Sequence, residues 1–394
     1  MNLETAMVIS KTLGASDVHF SVGKPIMMRL DGTMLDFNEA YDTVAIQNPS
    51  KVREFDARCE AMVGAKFKSP FFREYVEVLT PPMCEEVLNP IMNEKNAETF
   101  RKAGEVDFAY QVESLGRFRV NVFRQKGTMA AVLRILPLNI PAPEDLGLPQ
   151  AVVEMIQKKR GLVLVTGPTG SGKSTTLASL INIINHTKKD HIITLEDPIE
   201  YLHRSDMSVV NQREIGLDTQ GYAPALRAAL RQDPDIILLG EMRDLDTIST
   251  AVTAAETGHL VFSTLHTIGA AATIDRIVDV FPPHQQEQIK VQLATVLECV
   301  CSQQLIATSD VEGGRCGAFE VMVANPAIRN LIREGKTFQI PSMMQTNRKS
   351  GMVTMDDALY ELVTRGRITE ESAIDYCQDY PYMLRKLGRP MPTM

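Results

Sequence analysis

The chain of 394 residues has room for two or three domains, and 44% apolar with 23% charged residues is the balance of a globular protein with a buried core. A net charge of −8 argues against a protein that grips nucleic acid by its phosphates. No run approaches the ~20 apolar residues of a bilayer span, the first residues lack a signal-peptide pattern, and the six cysteines contain no C-x-x-C pair, so the expectation is a reduced, cytoplasmic protein with no direct membrane insertion.

Leu3, Met7, Val8 and Leu13 share one helical face. VHFSV (18–22) alternates, and PIMMRLDGTML (25–35) reads as a hairpin turning at Asp31-Gly32. Residues 36–80 are mixed and polar, with few clear periods, and read as a loop or small insertion. Helical patterning returns over 82–103. VDFAYQV (106–112), RFRVNVFRQ (117–125) and MAAVLRILP (129–137), with turns at Leu115-Gly116 and Lys126-Gly127, form an antiparallel-sheet pattern. Residues 1–136 thus read as an α+β domain. Proline-rich PLNIPAPEDLGLP follows, which places an interdomain linker at 137–143. From 144 to 394, strands GLVLVT (161–166), HIITLE (191–196), IILLGE (236–241) and HLVFSTLH (259–266) alternate with helices such as 173–186 and 245–257. That alternation predicts an α/β domain whose parallel sheet is covered on both faces. Beyond about 283 the chain reads mainly as helices.

GPTGSGKST (167–175) follows a strand, opens a helix and fits the P-loop pattern. Gly167, Gly170 and Gly172 let the backbone wrap an anion, and with Pro168, Thr169, Ser171 and Thr175 they form the expected ATP-binding loop. Lys173 is expected on the β- and γ-phosphates and Ser174 on Mg²⁺. Leu177, Leu180, Ile181 and Ile184 supply the stripe that seats this helix on the sheet.

ITLEDPIEYLH (193–203) sets Glu196, Asp197 and Glu200 at a strand end, and DPDIILLGEMRD (233–244) ends a Walker-B-like strand at Glu241. Gly240 stands where many P-loop enzymes carry Asp. It cannot hold Mg²⁺, so the carboxylates must come from Glu241 and the 196–200 cluster, and one must orient the attacking water. Glu196 is assigned as that base and Glu241 as the outer metal or water ligand; the two roles are exchangeable. His266, ending GHLVFSTLHT (258–267), is the expected γ-phosphate sensor. Arginine candidates are Arg117, Arg119, Arg124 and Arg134 in the first domain, and Arg227, Arg231 and Arg243 in the second.

In this order, GPTGSGKSTT, ITLEDPIEYLH, VNQREIGLDTQGYAPALRAALRQDPDIILLGEMRDLDT and AAETGHLVFSTLHT closely resemble the secretion ATPase superfamily over about 160–285. The resemblance implies a PAS-like first domain and a RecA-like ATPase domain with a helical C-terminal extension. It implies a homohexameric ring with nucleotide held between the two kinds of domain. It also implies that Arg119 and Arg134 reach the phosphates from the first domain, with Arg227 and Arg243 as their counterparts in the second. The four-cysteine zinc motif and longer N-terminal region usual in the extension and secretion ATPases are missing from the sequence. AIRNLIRE, comprising Ala327, Ile328, Arg329, Asn330, Leu331, Ile332, Arg333 and Glu334, resembles the signature of the PilT-type pilus-retraction branch. GASDVHFSVGKPIMMRLDG (14–32) resembles that branch as well. The implied partners are the inner-membrane pilus platform protein and, optionally, a second retraction ATPase, with the protein peripheral to the inner face of the cytoplasmic membrane.

AIRNLIRE also has a plain reading as an amphipathic helix, with Ile328, Leu331 and Ile332 buried and Arg329 and Arg333 on a polar face. Three rival functions remain: an accessory PilU-like ATPase, a slow nucleotide-gated signalling or binding protein, and a nucleic-acid translocase. The octapeptide disfavours the first, the intact carboxylates and His266 the second, and the acidic charge the third.

Overall fold

The computed structural model describes residues 2–30, 32–64, 67, 69, 73–112, 115–137, 139–309 and 314–390. It divides into two units, Met1–Leu138 and Asn139–Met394.

The first unit holds an antiparallel sheet of six strands: β1 (Asp17–Phe20), β2 (Met27–Leu30), β3 (Thr33–Asp36), β4 (Glu105–Val112), β5 (Gly116–Gln125) and β6 (Thr128–Ile135). Their order is β3-β2-β1-β6-β5-β4. Asp31, half of the expected hairpin turn, lies outside the described residues. Between β5 and β6, Lys126 (φ 50°) and Gly127 (φ 79°) form the left-handed pair that a two-residue hairpin requires. Alternation along β5 buries Phe118, Val120 and Val122 and turns Arg117, Arg119 and Asn121 to the other face.

Within 36–80 the described residues are mainly helical, so the segment is a folded insertion rather than a loop. Asp36 and Glu39 form a capping box on helix Phe37–Gln47, and Asn48 caps helix Pro49–Val63. Phe37, Ala40 and Val44, then Val52, Phe55 and Cys59, recur three or four residues apart and are buried in the unit's core. Tyr41 packs on Phe55 and Phe67, with ring centroids 5.7 and 4.9 Å away. The charged residues between these positions lower the mean hydropathy enough to hide the helical period.

The second unit carries seven strands: β7 (Gly161–Thr166), β8 (His191–Glu196), β9 (Val209–Glu214), β10 (Ile236–Leu239), β11 (Leu260–Leu265), β12 (Leu297–Ala307) and β13 (Arg315–Val323). They order as β13-β12-β7-β11-β10-β8-β9, with every neighbouring pair parallel except β12 and β13. Leu162 and Leu164 of β7 pack with helices such as Leu245–Glu256 and Ala270–Asp279, while Val163 and Val165 pack with helix Lys173–Thr187. The sheet is therefore covered on both faces, as the alternation predicts.

Beyond 283 the chain is mainly helical as expected, but β12 and β13 interrupt it. Helix Pro283–Val296 runs directly into β12 at Leu297, with no glycine or proline between them to mark the change from helix to buried strand. Helices Met355–Thr364, Glu370–Tyr376 and Tyr380–Leu387 then build a small core with Ile306 of β12 and Ala318 of β13. Among the described residues no helix is long and apolar enough to cross a membrane.

Candidate functional site

β7 lies between β12 and β11 and ends at Thr166, where the glycine loop begins. Gly167 (φ 139°), Gly170 (φ 80°) and Gly172 (φ 87°) all have positive φ. Gly172 caps helix Lys173–Thr187 without a side-chain hydrogen bond, which leaves the helix's first N–H groups to an anion. The Lys173 ammonium donates to the carbonyls of Gly167 and Pro168, both at 2.9 Å. Burial lowers its pKa, against the pull of Glu200 and Glu241. A phosphate in the loop would give this cation a charged partner in place of two carbonyls.

Gln303 of β12 braces the loop. Its amide donates to the Ser171 carbonyl at 2.5 Å and accepts from the Thr176 hydroxyl at 2.9 Å. A Cβ on Gly167 would stand 2.2 Å from the Gln303 carbonyl oxygen, whereas one on Gly170 would meet nothing within 4 Å. Gly167→Ala is therefore expected to lose about 3 kcal/mol or more of stability. Gly170→Ala should lose only the ~1–2 kcal/mol of a left-handed alanine. Urea melts of the two variants check this, and equal losses would contradict the close approach at Gly167.

Glu196 ends β8. One of its oxygens, Oε1, accepts from the Thr194 hydroxyl at 2.6 Å and from the Gln212 amide at 3.2 Å. Burial pushes its pKa up to about 7 even though both donors favour the carboxylate. Gln212 of β9 is itself fixed, donating to the Tyr201 carbonyl at 2.9 Å and accepting from the His203 N–H at 2.8 Å. The hydroxyls of Tyr201 and Thr175, 2.9 Å apart, tie the segment after β8 to the helix after the glycine loop.

Gly240 has a physical reason. A Cβ there would lie 2.8 Å from the Tyr222 hydroxyl and 3.2 Å from the Leu195 carbonyl, so the space for a Walker-B aspartate is occupied. Burial, with the carboxylates of Glu241, Asp197 and Glu196, raises the Tyr222 pKa. Next along the chain, Glu241 Oε2 meets Arg243 Nε at 2.6 Å and His266 Nε2 at 3.4 Å. Thr264 holds this segment by donating to the Gly240 carbonyl at 2.6 Å.

The fold therefore brings Glu241, Arg243 and His266 into one cluster and seats Glu196 in a second at the end of β8. Ser174 is exposed on the first turn after the loop. Arg227 is exposed on helix Tyr222–Ala229, and among the described residues no hydrogen bond or ion pair joins it to the carboxylates.

Arg119 and Arg134 belong to the first unit, directly opposite each other on β5 and β6. Arg119 Nη2 donates to Asp107 at 2.6 Å and Arg134 Nε to Asp17 at 2.9 Å. Asp17 is in register with both Arg134 and Arg29, so Arg29, Asp17, Arg134 and Arg119 form one row across four strands.

A model of the type II/IV secretion system protein family matches residues 104–375. The chain belongs to that family. It is 45% identical to the type IV pilus retraction ATPase PilT of Pseudomonas aeruginosa, over 95% of this chain and 97% of that one. It is 41% identical to the type IV pilus ATPase PilU of the same organism, over 79% and 81% of the two chains. Among solved structures, the pilus retraction motor PilT with bound ADP superposes with a TM-score of 0.83 at 43% identity, covering 98% of this chain and 99% of that one.

Within this secretion-family fold, AIRNLIRE falls on helix Pro326–Arg333, capped by Asn325, whose side chain accepts from the Ile328 N–H at 2.9 Å. Ile328, Leu331 and Ile332 are buried as expected, while Ala327, Asn330, Arg333 and Glu334 are exposed. Arg329 departs from the expected polar face. It turns inward, donating to the carbonyls of Ala294 and Thr295 at 2.8 and 2.9 Å and to Glu298 at 2.7 Å, and so caps helix Pro283–Val296.

Sequence reading missed Gln212, Tyr222 and Gln303, and also Glu320 of β13. Buried Glu320 accepts from the N–H of Ala270 at 2.6 Å and of Met355 at 3.1 Å, joining two helix N-termini. Burial raises its pKa despite those donors. The available signal was SQQ (302–304), three polar residues inside an apolar run, which marks a strand whose polar groups must be satisfied internally.

Proposed function

We propose that this chain is the subunit of an ATP-hydrolysing motor that powers type IV pilus retraction, and so twitching motility, by pilin disassembly. The observation that carries the reading is the convergence of the phosphate-binding loop with Glu196, Glu241 and His266 at the ends of strands of one sheet. The likeness to PilT along almost the whole chain supports the pilus assignment.

In this reading residues 1–136 act as the PAS-like domain and 144–394 as the RecA-like domain, joined by the 137–143 linker. The loop residues 167–175 bind ATP, with Lys173 on the outer phosphates. Glu196, held by Thr194 and Gln212, orients the attacking water. His266 reports on the γ-phosphate through its contact with Glu241. Ser174 and Glu241 are the oxygen donors suited to Mg²⁺, which when bound neutralises phosphate charge. Arg243, already on Glu241, and Arg227 serve the same centre from within the subunit. Arg119 and Arg134 serve the nucleotide of a neighbouring copy in a homohexamer. The exposed residues of the 327–334 helix face the retraction machinery, whose inner-membrane platform protein keeps the motor at the cytoplasmic face of the membrane.

Steady-state ATP hydrolysis measured as protein concentration rises, alongside solution mass, tests the reading. Turnover should appear with the six-copy particle and vanish in Lys173→Ala. A stable monomer with negligible turnover would sink the motor. The likeness to PilU favours a second reading, an accessory ATPase working beside another motor. Restoration of retraction by this gene alone, in a strain lacking every retraction ATPase, would exclude it.

A further inference from the structure

Next to the Glu241–His266 pair, the second unit has a cavity of about 320 Å³ between the segment after β10 and helix Ala270–Asp279. Its polar lining is Arg243, His266, Thr267 and Arg276, and among the described residues no carboxylate lines it. The remaining wall is apolar and includes buried Met242 and Leu265. A cleft of two guanidiniums, an imidazole and a hydroxyl over an apolar floor favours an anion, because the low-dielectric wall strengthens its attraction to the cations. The volume lies at the bottom of the ~300–1,000 Å³ range of small-molecule pockets. It suits a tetrahedral oxyanion with a few waters rather than a second nucleotide.

Arg276 has no assigned task. Among the described residues no carboxylate pairs with this exposed arginine. Its helix is nevertheless firmly placed, since Gly269 N–H donates to Ser302 at 2.9 Å and Ala270 N–H to Glu320 at 2.6 Å. Arg243 meets Glu241 through Nε, which leaves its terminal nitrogens as the fork that an oxyanion takes. Arg243 and His266 thus belong both to the carboxylate cluster and to the cavity wall.

We propose that this cavity is the exit site for inorganic phosphate, with Arg276 as the ligand that draws the product away from Glu241 and His266. The inference rests on the hydrolysis reading above and adds to it where the released phosphate goes.

The test uses the full-length protein loaded with ADP and titrated calorimetrically with inorganic phosphate. The wild type should bind phosphate, and added phosphate should slow its ATP turnover. Arg276→Ala should weaken phosphate binding about tenfold and relieve the inhibition, with ADP affinity unchanged. Arg276→Lys, which keeps the charge and loses the fork, should fall between the two. Phosphate affinity unchanged in Arg276→Ala would overturn the proposal, as would a wild type that binds ADP but no phosphate. A wild type that binds no ADP would remove the hydrolysis reading and this inference with it. Sedimentation with phosphatidylglycerol vesicles that depends on Arg276 would make the cavity a lipid-headgroup site and would likewise overturn it.

Discussion

Replacing both Arg119 and Arg134 by alanine is expected to lower ATP turnover ~10³–10⁵-fold, the effect of removing an arginine supplied in trans, while nucleotide still binds. Both side chains stand on the face of the first unit's sheet opposite its core, in one cross-strand row. Each has an aspartate partner, Asp107 or Asp17. The Arg119 pair is exposed on both sides, and such pairs hold only ~0.2–1 kcal/mol, so a phosphate can take the arginine over at little cost. Mixing provides the decisive measurement. Lys173→Ala protein, dead in its own loop but with both arginines intact, should restore activity to the double variant when the two form mixed rings. A mixture as inactive as its components would show that the arginines do not act across subunits.

Glu196→Gln should lower kcat by ~10²–10⁴, the contribution of a general base, with little change in KM. The wild-type pH profile carries the same information. The Glu196 pKa is pushed from an ordinary 4.5 up to about 7, and only the ionised form can orient and deprotonate water. Wild-type kcat/KM should therefore fall about tenfold per unit as pH drops below about 7, and the residual activity of the variant should lack that limb. Stability moves the other way. Between 4.5 and about 7 the folded protein keeps a proton that the unfolded chain has released, so this residue favours folding less as pH rises through that window. At pH 8 the variant should melt no lower than the wild type. A variant that loses activity and stability together would point to a structural carboxylate instead.

The glycine loop, the four central strands of the parallel sheet and the carboxylates at their ends were legible because each is specified within about ten consecutive residues. A P-loop declares itself between strand and helix, and an apolar run of four to six residues can be read without knowing its neighbours. What escaped depends on residues distant in sequence. Gln303 bonds Ser171 across 132 positions, and its strand was hidden because no turn residue separates it from the helix before it. Gly240 was read as a lost metal ligand, but only the fold shows the Tyr222 hydroxyl in that space. Arg329 looked like a surface charge because its helix is amphipathic; the carbonyls it caps belong to a helix more than 30 residues earlier. The helices of 36–80 were masked by their own charges, although their buried positions keep a helical spacing.

Ser302 and Gln303 are consecutive on β12, and Glu320 stands opposite Ser302 on β13. From these three side chains hang the glycine loop, the end of the histidine segment and the start of the C-terminal helices. A machine delivers force only as far as its joints resist bending. A buried carboxylate shared by two helix ends is a stiff joint, because neither helix can withdraw without stripping a partner from a buried group. Strain applied to the C-terminal helices is thus felt at the glycine loop across two neighbouring strands, with little slack to absorb it. A subunit built this way should slow its chemical cycle under an opposing pull rather than run on and slip.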